Sequence, residues 1–470
     1  MPGIADSTAG QMAATLEETP ALSSAAILDC KLCDNDQEST ANNTENGLDD
    51  TESDHQHSPV LSRTKEERIK LRSELIGKAC YPFYRRSPLL VVKAEGQYLY
   101  DENGQRFLDC ISNVQHVGHC HPLVTKAVAN QMAESNCNIR FLHDTVLDYS
   151  QALLKTFPPA LNTTFYCNSG SEANDLAMRI ATEYTKGTEF IVLDHAYHGH
   201  LSAVMNLSPY KFMGRGGKGA PEDYVHVVPC PDVYRGLHRV VPDAALSDPV
   251  ALRRAGELYA GQVQSAIVRI QRQGKRLAAL FMEAFVSCGG QVIAPPGFLE
   301  NVIKYVHAAG GLVVVDEVQT GFGRCGSHFW AFQSQLPTTT AAEQDSSLCP
   351  DIVTMGKPMG NGFPVAGVVT TRPIADNFGS GGMQYFNTYG GNPVSAAAAQ
   401  AVLSVIQSEG LQQRAHEVGS YFMGRLRELQ QKHYVIGDVR GLGLFIGIDL
   451  VSNRADRTAL SEDETKDIIY

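Results

Sequence analysis

The stretch PDIVTMGKPMGNGFPVAG, residues 350–367, joins an apolar run to a single lysine among glycines. The run at residues 352–355 predicts a short buried strand, because it is apolar and has turn-forming residues on both sides. Lys357 follows this strand almost at once, and Gly360 and Gly362 let backbone and ligand approach closely. One ammonium group at the end of a buried strand indicates a candidate functional residue.

From about residue 120 onward, apolar runs alternate with segments of helical periodicity. Strands are predicted at residues 165–167, 190–193, 278–282, 312–315 and 352–355. Such alternation is typical of α/β proteins, in which a mostly parallel sheet is covered by helices on both faces. Ligands bind beyond the carboxyl ends of the strands in such sheets. The residues that follow these strands are therefore the candidate site.

The chain divides into four predicted segments. Residues 1–62 are polar and acidic, which predicts a disordered tail because little apolar surface could offset the ordering entropy. Residues 63–115 are expected to contribute to a smaller domain and to include a hairpin at residues 96–109, around an Asn-Gly turn. Residues 116–400 form the predicted large domain, and residues 401–470 the remainder of the smaller α+β domain.

Composition and charge exclude several classes of function. The net charge of −12 argues against non-specific binding to nucleic acid or to an anionic membrane. No apolar run reaches the length of about 18 residues that a membrane span needs. Lys31 is the only Lys or Arg before Arg63, which argues against an Arg-rich mitochondrial presequence. We expect a cytoplasmic protein with reduced cysteines, and a mitochondrial location is the alternative.

The segment NSGSEAND, residues 168–175, predicts a phosphate-binding helix N-terminus. A strand ends, a turn of small residues follows and a helix begins. Free N–H groups and the helix dipole favour an anion at that point, and a phosphate fits best. The alternative is an ordinary capping box formed by Ser and Glu.

Two further strand ends complete a constellation. Asp316 ends an apolar strand, and a buried carboxylate is costly unless a cation accompanies it. Lys357 ends the next strand, where burial would make its amine a good nucleophile. Taken alone, Asp316 could be a solvated strand end and Lys357 a surface lysine. Together, a phosphate site, an acid for a pyridine nitrogen and an amine for an aldehyde predict pyridoxal phosphate (PLP).

The chain resembles a known family over about residues 80–470. The motifs GHCHP, NSGSEAND, DHAYHGH, VVVDEVQTGFGR, DIVTMGKPMGNG and NTYGGNP resemble those of the class III (subgroup II) aminotransferases, which have PLP fold type I. The resemblance implies PLP as the cofactor. It assigns the cofactor contacts to Ser169, Gly170, Ser171, Tyr197, Glu283, Asp316, Gln319, Lys357 and Thr388.

The resemblance also implies a role for each position. Tyr197 would stack on the pyridine ring, Glu283 would lie beneath it, and Gln319 would lie near the phenolic oxygen. Lys357 would bond the aldehyde covalently and act as the catalytic base. Thr388 would reach the cofactor phosphate of the neighbouring subunit, so a homodimer is implied, often paired into tetramers.

Within this family the segments SCGG, SPYKF, YFNTYGGNPVS and GLFIGIDLV resemble the phospho-lyases of phosphorylated amines. The resemblance implies elimination of phosphate from phosphoethanolamine to give acetaldehyde, ammonia and inorganic phosphate. Many amino-acid-specific relatives carry a second carboxylate where this chain has Cys288, and an uncharged residue suits a substrate without an α-carboxylate. Arg140 and Lys211 are candidates for binding the substrate phosphate, and surface ion pairs are the alternative for both.

Three other functions stay open at this point. The chain could be an aminotransferase on an amino acid or ω-amine, a lyase of 5-phosphohydroxylysine, or a catalytically impaired form. The last follows because relatives continue beyond residue 470, so the smaller domain is expected to be truncated. No metal is expected, because His116, His119 and His121 have a spacing that is weak for zinc and no expected carboxylate partner.

Overall fold

The computed structural model describes residues 63–240, 247–337 and 348–469, and the predicted tail lies outside the described residues. The chain divides into two compact units, Met1–Lys78 and Ala79–Tyr470.

The described part of the first unit contains one helix, α1 (Lys65–Leu75). It begins with a capping box, in which the Thr64 hydroxyl accepts from the Glu67 amide at 3.1 Å. The Glu67 carboxylate accepts from the Thr64 amide at 2.8 Å. This reciprocal pair satisfies two N–H groups that would otherwise lack partners at the helix start.

The second unit contains the sheets and the other described helices. Its helices are α2 (Pro122–Glu134), α3 (Asp144–Leu154), α4 (Gly170–Thr185), α5 (Ser202–Asn206), α6 (Pro209–Phe212), α7 (Pro249–Arg272), α8 (Phe298–Ala308), α9 (Arg372–Ser380), α10 (Pro393–Ser408), α11 (Leu411–Lys432) and α12 (Glu462–Ile469). Its strands are β1 (Val91–Glu95), β2 (Tyr98–Asp101), β3 (Arg106–Leu108), β4 (Thr163–Cys167), β5 (Glu189–Leu193), β6 (Val225–Val228), β7 (Leu277–Glu283), β8 (Phe285–Val286), β9 (Val292–Ile293), β10 (Leu312–Asp316), β11 (Ile352–Met355), β12 (Ala366–Thr370), β13 (Ile436–Leu442), β14 (Phe445–Asn453) and β15 (Thr458–Ala459).

The central sheet has the strand order β4-β12-β11-β10-β7-β5-β6. β12 pairs antiparallel with both of its neighbours, and the other strands are parallel to one another. The prediction of an α/β fold with a mostly parallel sheet is confirmed. The antiparallel β12 was not predicted, because a short apolar run carries no information about strand direction.

Helices cover both faces of this sheet, and the strands show why. Val313 and Val315 pack in a core cluster with residues of α7, α8 and α10. Leu312 and Val314 pack in a second cluster with residues of α4 and α9. Successive side chains of a strand point to opposite faces. A strand that is buried on both faces must therefore be apolar throughout. β10 is apolar up to its last residue, Asp316.

Two three-stranded antiparallel sheets come before and after the central sheet in chain order. They are β1-β2-β3 and β13-β14-β15. The predicted hairpin is confirmed as β2 and β3, with Gly104 at a φ of 79° in the turn between them. The segment boundaries expected from the sequence stay predictions. No helix within the described ranges is long and apolar enough to cross a membrane.

Candidate active site

Three parallel strands, β7, β10 and β11, have polar residues at their carboxyl ends, which lie at one edge of the central sheet. In the sheet register Asp316, the last residue of β10, pairs with Glu283 at the end of β7 and with Thr354 of β11. β11 ends at Met355, two residues before Lys357. The two carboxylates and the amine therefore lie at the carboxyl edge, where open α/β sheets bind ligands.

A cavity of about 370 Å³ opens at this edge. Its size is within the range of about 300–1,000 Å³ for small-molecule sites. Among the sequence-predicted residues its lining includes Ser169, Gly170, Ser171, Tyr197, Glu283, Asp316, Gln319 and Lys357. Residues that were far apart in the sequence are thus brought together around one space.

Asp316 is fixed by neutral donors and a histidine. Its Oδ2 accepts from Nδ2 of Asn174 at 2.7 Å and lies 3.0 Å from Nδ1 of His198. Its Oδ1 accepts from the amide of Val318 at 2.9 Å. Only 5% of Asp316 is exposed, and no Lys or Arg of the described residues forms an ion pair with it. A carboxylate oxygen can accept more than one hydrogen bond, so Oδ1 retains a lone pair for a cationic donor.

His198 and Asn174 form a buried support that the sequence analysis did not identify. Nδ1 of His198 bonds Asp316, and its Nε2 is buried without a hydrogen-bond partner among the described residues. Nδ1 is therefore the ring nitrogen through which His198 can donate to the carboxylate. Asn174 is itself oriented by the Thr354 hydroxyl, which donates to its Oδ1 at 2.7 Å.

Glu283 is also held by neutral groups. Its Oε1 accepts from the amide of Tyr197 at 2.9 Å, and its Oε2 from the Ser287 amide at 3.0 Å and hydroxyl at 2.5 Å. Burial raises the pKa of this carboxyl. The Ser287 hydroxyl accepts from Nε2 of Gln319 at 2.6 Å. Glu283 thereby fixes the backbone at Tyr197, whose ring lines the cavity.

Lys357 has the electrostatics of a nucleophile. Burial lowers the pKa of its amine, although the nearby Asp316 and Glu283 oppose the shift. A lowered pKa increases the fraction of neutral amine at physiological pH. Glycine allows a close approach before this lysine, since a Cβ on Gly356 would make a tight contact of 3.3 Å with Cα of Gly170. The lysine turn thus packs directly on the start of α4.

The start of α4 shows features of both structures predicted for NSGSEAND, a helix cap and an anion-binding site. The Ser169 hydroxyl accepts from the Glu172 amide at 3.2 Å and donates to its carboxylate at 3.0 Å, as in a helix cap. Ser169, Gly170 and Ser171 nevertheless line the cavity, so the positive end of the α4 dipole points to it. The Ser171 hydroxyl accepts from the His200 amide at 3.1 Å. Capping and anion binding are compatible here.

Three of the sequence-predicted residues do not line this cavity. Thr388 and Arg140 are exposed, and the Arg140 guanidinium lies 3.8 Å from the ring centroid of Phe386. Nζ of Lys211 lies 5.6 Å from the ring centroid of Tyr197, which does line the cavity. The roles expected for Thr388 and Arg140 stay predictions.

The histidines of the GHCHP region have separate partners. Nε2 of His116 lies 2.6 Å from the carbonyl oxygen of Phe322. His119 contacts the carboxylate of Asp109 at 2.7 Å, and His121 that of Glu409 at 3.1 Å. The sequence analysis had assigned these histidines no carboxylate partner, which was wrong for His119 and His121. The described residues contain no cluster suited to a metal ion.

Fold and site together define a PLP enzyme, and comparison with known proteins agrees. The family model "Aminotransferase class-III" matches residues 82–469. The chain belongs to the class III aminotransferase family, and its cofactor is pyridoxal 5′-phosphate.

Individual relatives carry two kinds of name. The chain is 50% identical to the Drosophila melanogaster protein named alanine–glyoxylate aminotransferase 2-like, over 84% of this chain and 76% of the relative. It is 50% identical to ethanolamine-phosphate phospho-lyase homolog 1 of Caenorhabditis elegans, over 84% of this chain and 82% of the relative. A solved phospholyase from Arthrobacter in complex with phosphoethanolamine is 37% identical, with a TM-score of 0.74, covering 84% of this chain and 87% of that one.

The residues at the cavity fit PLP. Asp316 offers a carboxylate lone pair to a pyridinium N–H, and Lys357 offers an amine of lowered pKa to the aldehyde. The α4 N-terminus offers N–H groups to the phosphate. These donors and acceptors match the charges of the cofactor groups that they would bind.

Proposed function

We propose that the protein is a PLP-dependent lyase that converts phosphoethanolamine and water to acetaldehyde, ammonia and inorganic phosphate. The observation that carries the proposal is the 50% identity to a relative named as an ethanolamine-phosphate phospho-lyase homolog. The similarity to a phospholyase that was solved with phosphoethanolamine supports the same substrate class.

The chain's own residues have defined tasks in this reaction. When bound, the cofactor withdraws electrons from the amine-bearing carbon of the substrate. Asp316 holds the proton at the pyridine nitrogen, and His198 and Asn174 hold Asp316 in place. Lys357 removes a proton from the amine-bearing carbon as general base. The bond between the neighbouring carbon and the phosphate oxygen then breaks, and water converts the two-carbon amine to acetaldehyde and ammonia.

An aminotransferase on an amino acid or ω-amine is the second candidate. The Drosophila relative's name favours it, and proton removal by Lys357 is common to both reactions. The two reactions diverge after proton removal, because an aminotransferase keeps the phosphate ester intact and requires an oxo-acid acceptor. The resemblance implies a carboxylate at the position of Cys288 in amino-acid-specific relatives, and the uncharged residue here supports the lyase. A cytoplasmic homodimer or homotetramer is part of the proposal.

Phosphate release tests the proposal directly. The purified protein with PLP and phosphoethanolamine, and no oxo acid, should release inorganic phosphate. Lys357→Ala should lower the rate by at least about 1,000-fold, since it removes both the covalent anchor and the base. Lys304→Ala is the matched control, because this exposed lysine lies outside the cavity lining and pairs with Glu300 at 2.7 Å. Amine turnover that occurs only after an oxo acid is added would establish the aminotransferase instead.

A further inference from the structure

Lys211 is a cation beside the active site that has no acidic partner among the described residues. Its Nζ lies 5.6 Å from the ring centroid of Tyr197 and 5.5 Å from that of Tyr210. Both distances are within the about 6 Å over which an ammonium is attracted to a ring face. The rings themselves meet edge to face at 6.1 Å. Aromatic faces therefore position this ammonium without neutralising its charge.

The other cations near the cavity have other tasks. Arg324 donates from Nε to the carbonyl of Gln319 at 2.8 Å and from Nη2 to that of Asn113 at 2.8 Å. Lys357 is required for the cofactor aldehyde. Arg140 and Lys211 both lie outside the cavity lining, but Lys211 contacts Tyr197, which lines the cavity, whereas Arg140 contacts Phe386, which does not. Lys211 is thus the cation best placed to meet a second anion, in addition to the cofactor phosphate.

The Cys288 thiol interacts electrostatically with both Lys211 and Lys357. Burial and Glu283 raise the pKa of its thiol, and the ammonium groups of Lys357 and Lys211 both act in the opposite direction. The sulfur is therefore within electrostatic range of both amines. Burial, and after it the negative charge of the Cys288 thiolate, raises the pKa of Tyr197. An anion beside Cys288 would therefore be within electrostatic range of both Lys211 and Lys357, the lysine expected to bond the cofactor aldehyde.

We propose that Lys211 binds the phosphate group of the substrate, and that Tyr197 and Tyr210 hold its side chain for this purpose. The inference rests on the proposed function, because it assigns the leaving group to this lysine. A phosphate that leaves carries its negative charge away with the C–O bonding electrons, and a nearby ammonium stabilises that charge. Lysine suits a departing tetrahedral anion because it acts as a point charge rather than as a fixed fork.

Kinetics with two kinds of amine test the assignment. Lys211→Gln should lower kcat/KM for phosphoethanolamine by about 10- to 100-fold, the usual cost of one charge-assisted hydrogen bond. Lys211→Arg should restore most of the loss, and the affinity for propylamine, measured from the cofactor absorbance, should stay unchanged. Lys218→Gln is the matched control, since Lys218 is exposed and pairs with Glu222. An equal loss for propylamine and phosphoethanolamine would overturn the assignment, because it would show a merely structural role.

Alkylation of Cys288 by iodoacetamide, followed by mass spectrometry of its peptide, gives a test that needs no turnover. Inorganic phosphate should slow alkylation in the wild type and in Lys218→Gln, because a bound anion cancels the ammonium that favours the thiolate. Lys211→Gln should react slowly and be insensitive to phosphate. Phosphate protection that persists in Lys211→Gln would refute the inference. Protection through Lys211 without phosphate release from the substrate would retain the anion site and reject the lyase.

Discussion

Two groups of carboxylates with low exposure, one in a small sheet and one in the central sheet, differ in their partners. In the small sheet, Asp449 accepts from Nε of Arg235 at 3.0 Å and lies 3.3 Å from Nη1 of Arg440. At the carboxyl edge of the central sheet, Asp316 and Glu283 are more deeply buried, yet amides, hydroxyls and one histidine are their partners.

The difference shows which charges belong to the fold and which await a ligand. A buried carboxylate is stable when a cation and hydrogen bonds compensate for its lost hydration. Arginines supply that compensation around Asp449, so that network is structural. The protein supplies no arginine or lysine ion pair at Asp316 among the described residues, and a protonated pyridine nitrogen would complete it. Incomplete compensation therefore marks the cofactor site.

Removing the structural acid should give the largest change in stability. Asp449→Asn leaves two half-buried guanidinium groups short of a counter-charge, so the free energy of unfolding should fall by about 2 kcal/mol, between the values for exposed and buried ion pairs. Urea denaturation of the apo protein measures this fall. The affinity of the remaining folded protein for PLP should be unchanged. A loss of PLP affinity equal to that of a site variant would erase the distinction between the two regions.

The reverse outcome is expected at the site. Asp316→Asn removes the anion that meets the pyridinium, so PLP affinity should fall by about 10- to 100-fold. The apo protein should lose little stability, because the buried charge disappears with the carboxylate. Titration of the apo protein with PLP, followed by absorbance, gives the affinity. A strongly destabilised apo protein with normal PLP affinity would contradict the comparison.

Glu317, next to Asp316, is a further buried carboxyl, and the pH dependence of stability tests its effect. Burial raises its pKa from 4.5 to about 8, although the Thr320 hydroxyl and the Phe332 amide oppose the shift. Between these values the folded state holds a proton that the unfolded state releases. Stability should therefore decrease as the pH rises from about 4.5 to 8, by up to about 1.4 kcal/mol per pH unit. Glu317→Gln should remove that slope in thermal unfolding between pH 6 and pH 8; an unchanged slope would exclude Glu317 as its source.

The smallest effect concerns the support of Asp316. His198→Phe keeps the packing of the ring against Phe281 but removes the donor to Oδ2, so PLP affinity should fall by about 3- to 10-fold. His198→Asn should recover part of the loss, because its amide can replace the Nδ1 donor. No difference between the Phe and Asn variants would show that this hydrogen bond does not position Asp316.

The residues that are expected to contact the cofactor could be predicted from the sequence, whereas the residues that hold Asp316 in place could not. Ser169, Asp316 and Lys357 directly follow or end apolar strands, and parallel strands bring such positions to one edge. His198 and Asn174 were not identified, because their contacts with Asp316 join residues 118 and 142 positions apart. No local pattern encodes such contacts. The motifs AYHGH and SEAND contain both residues and were the available signal.

The direction of β12 could not be predicted for a similar reason. Its apolar run resembles that of the parallel strands, and only the length of the connection from β11, residues 356–365, limits its direction. A parallel neighbour needs a crossover of about a dozen residues or more. The spacing from β11 to β12 therefore contained a clue, whereas the apolar pattern alone did not.

The fate of the phosphorus atom tests the central claim most directly. The holoenzyme is incubated with phosphoethanolamine without an oxo acid, and the mixture is followed by ³¹P NMR while acetaldehyde and ammonia are assayed. The lyase predicts that the phosphate ester signal is replaced by inorganic phosphate, with equal amounts of acetaldehyde and ammonia. Phosphorus that remains esterified, with amine loss only after an oxo acid is supplied, would contradict the lyase and identify an aminotransferase.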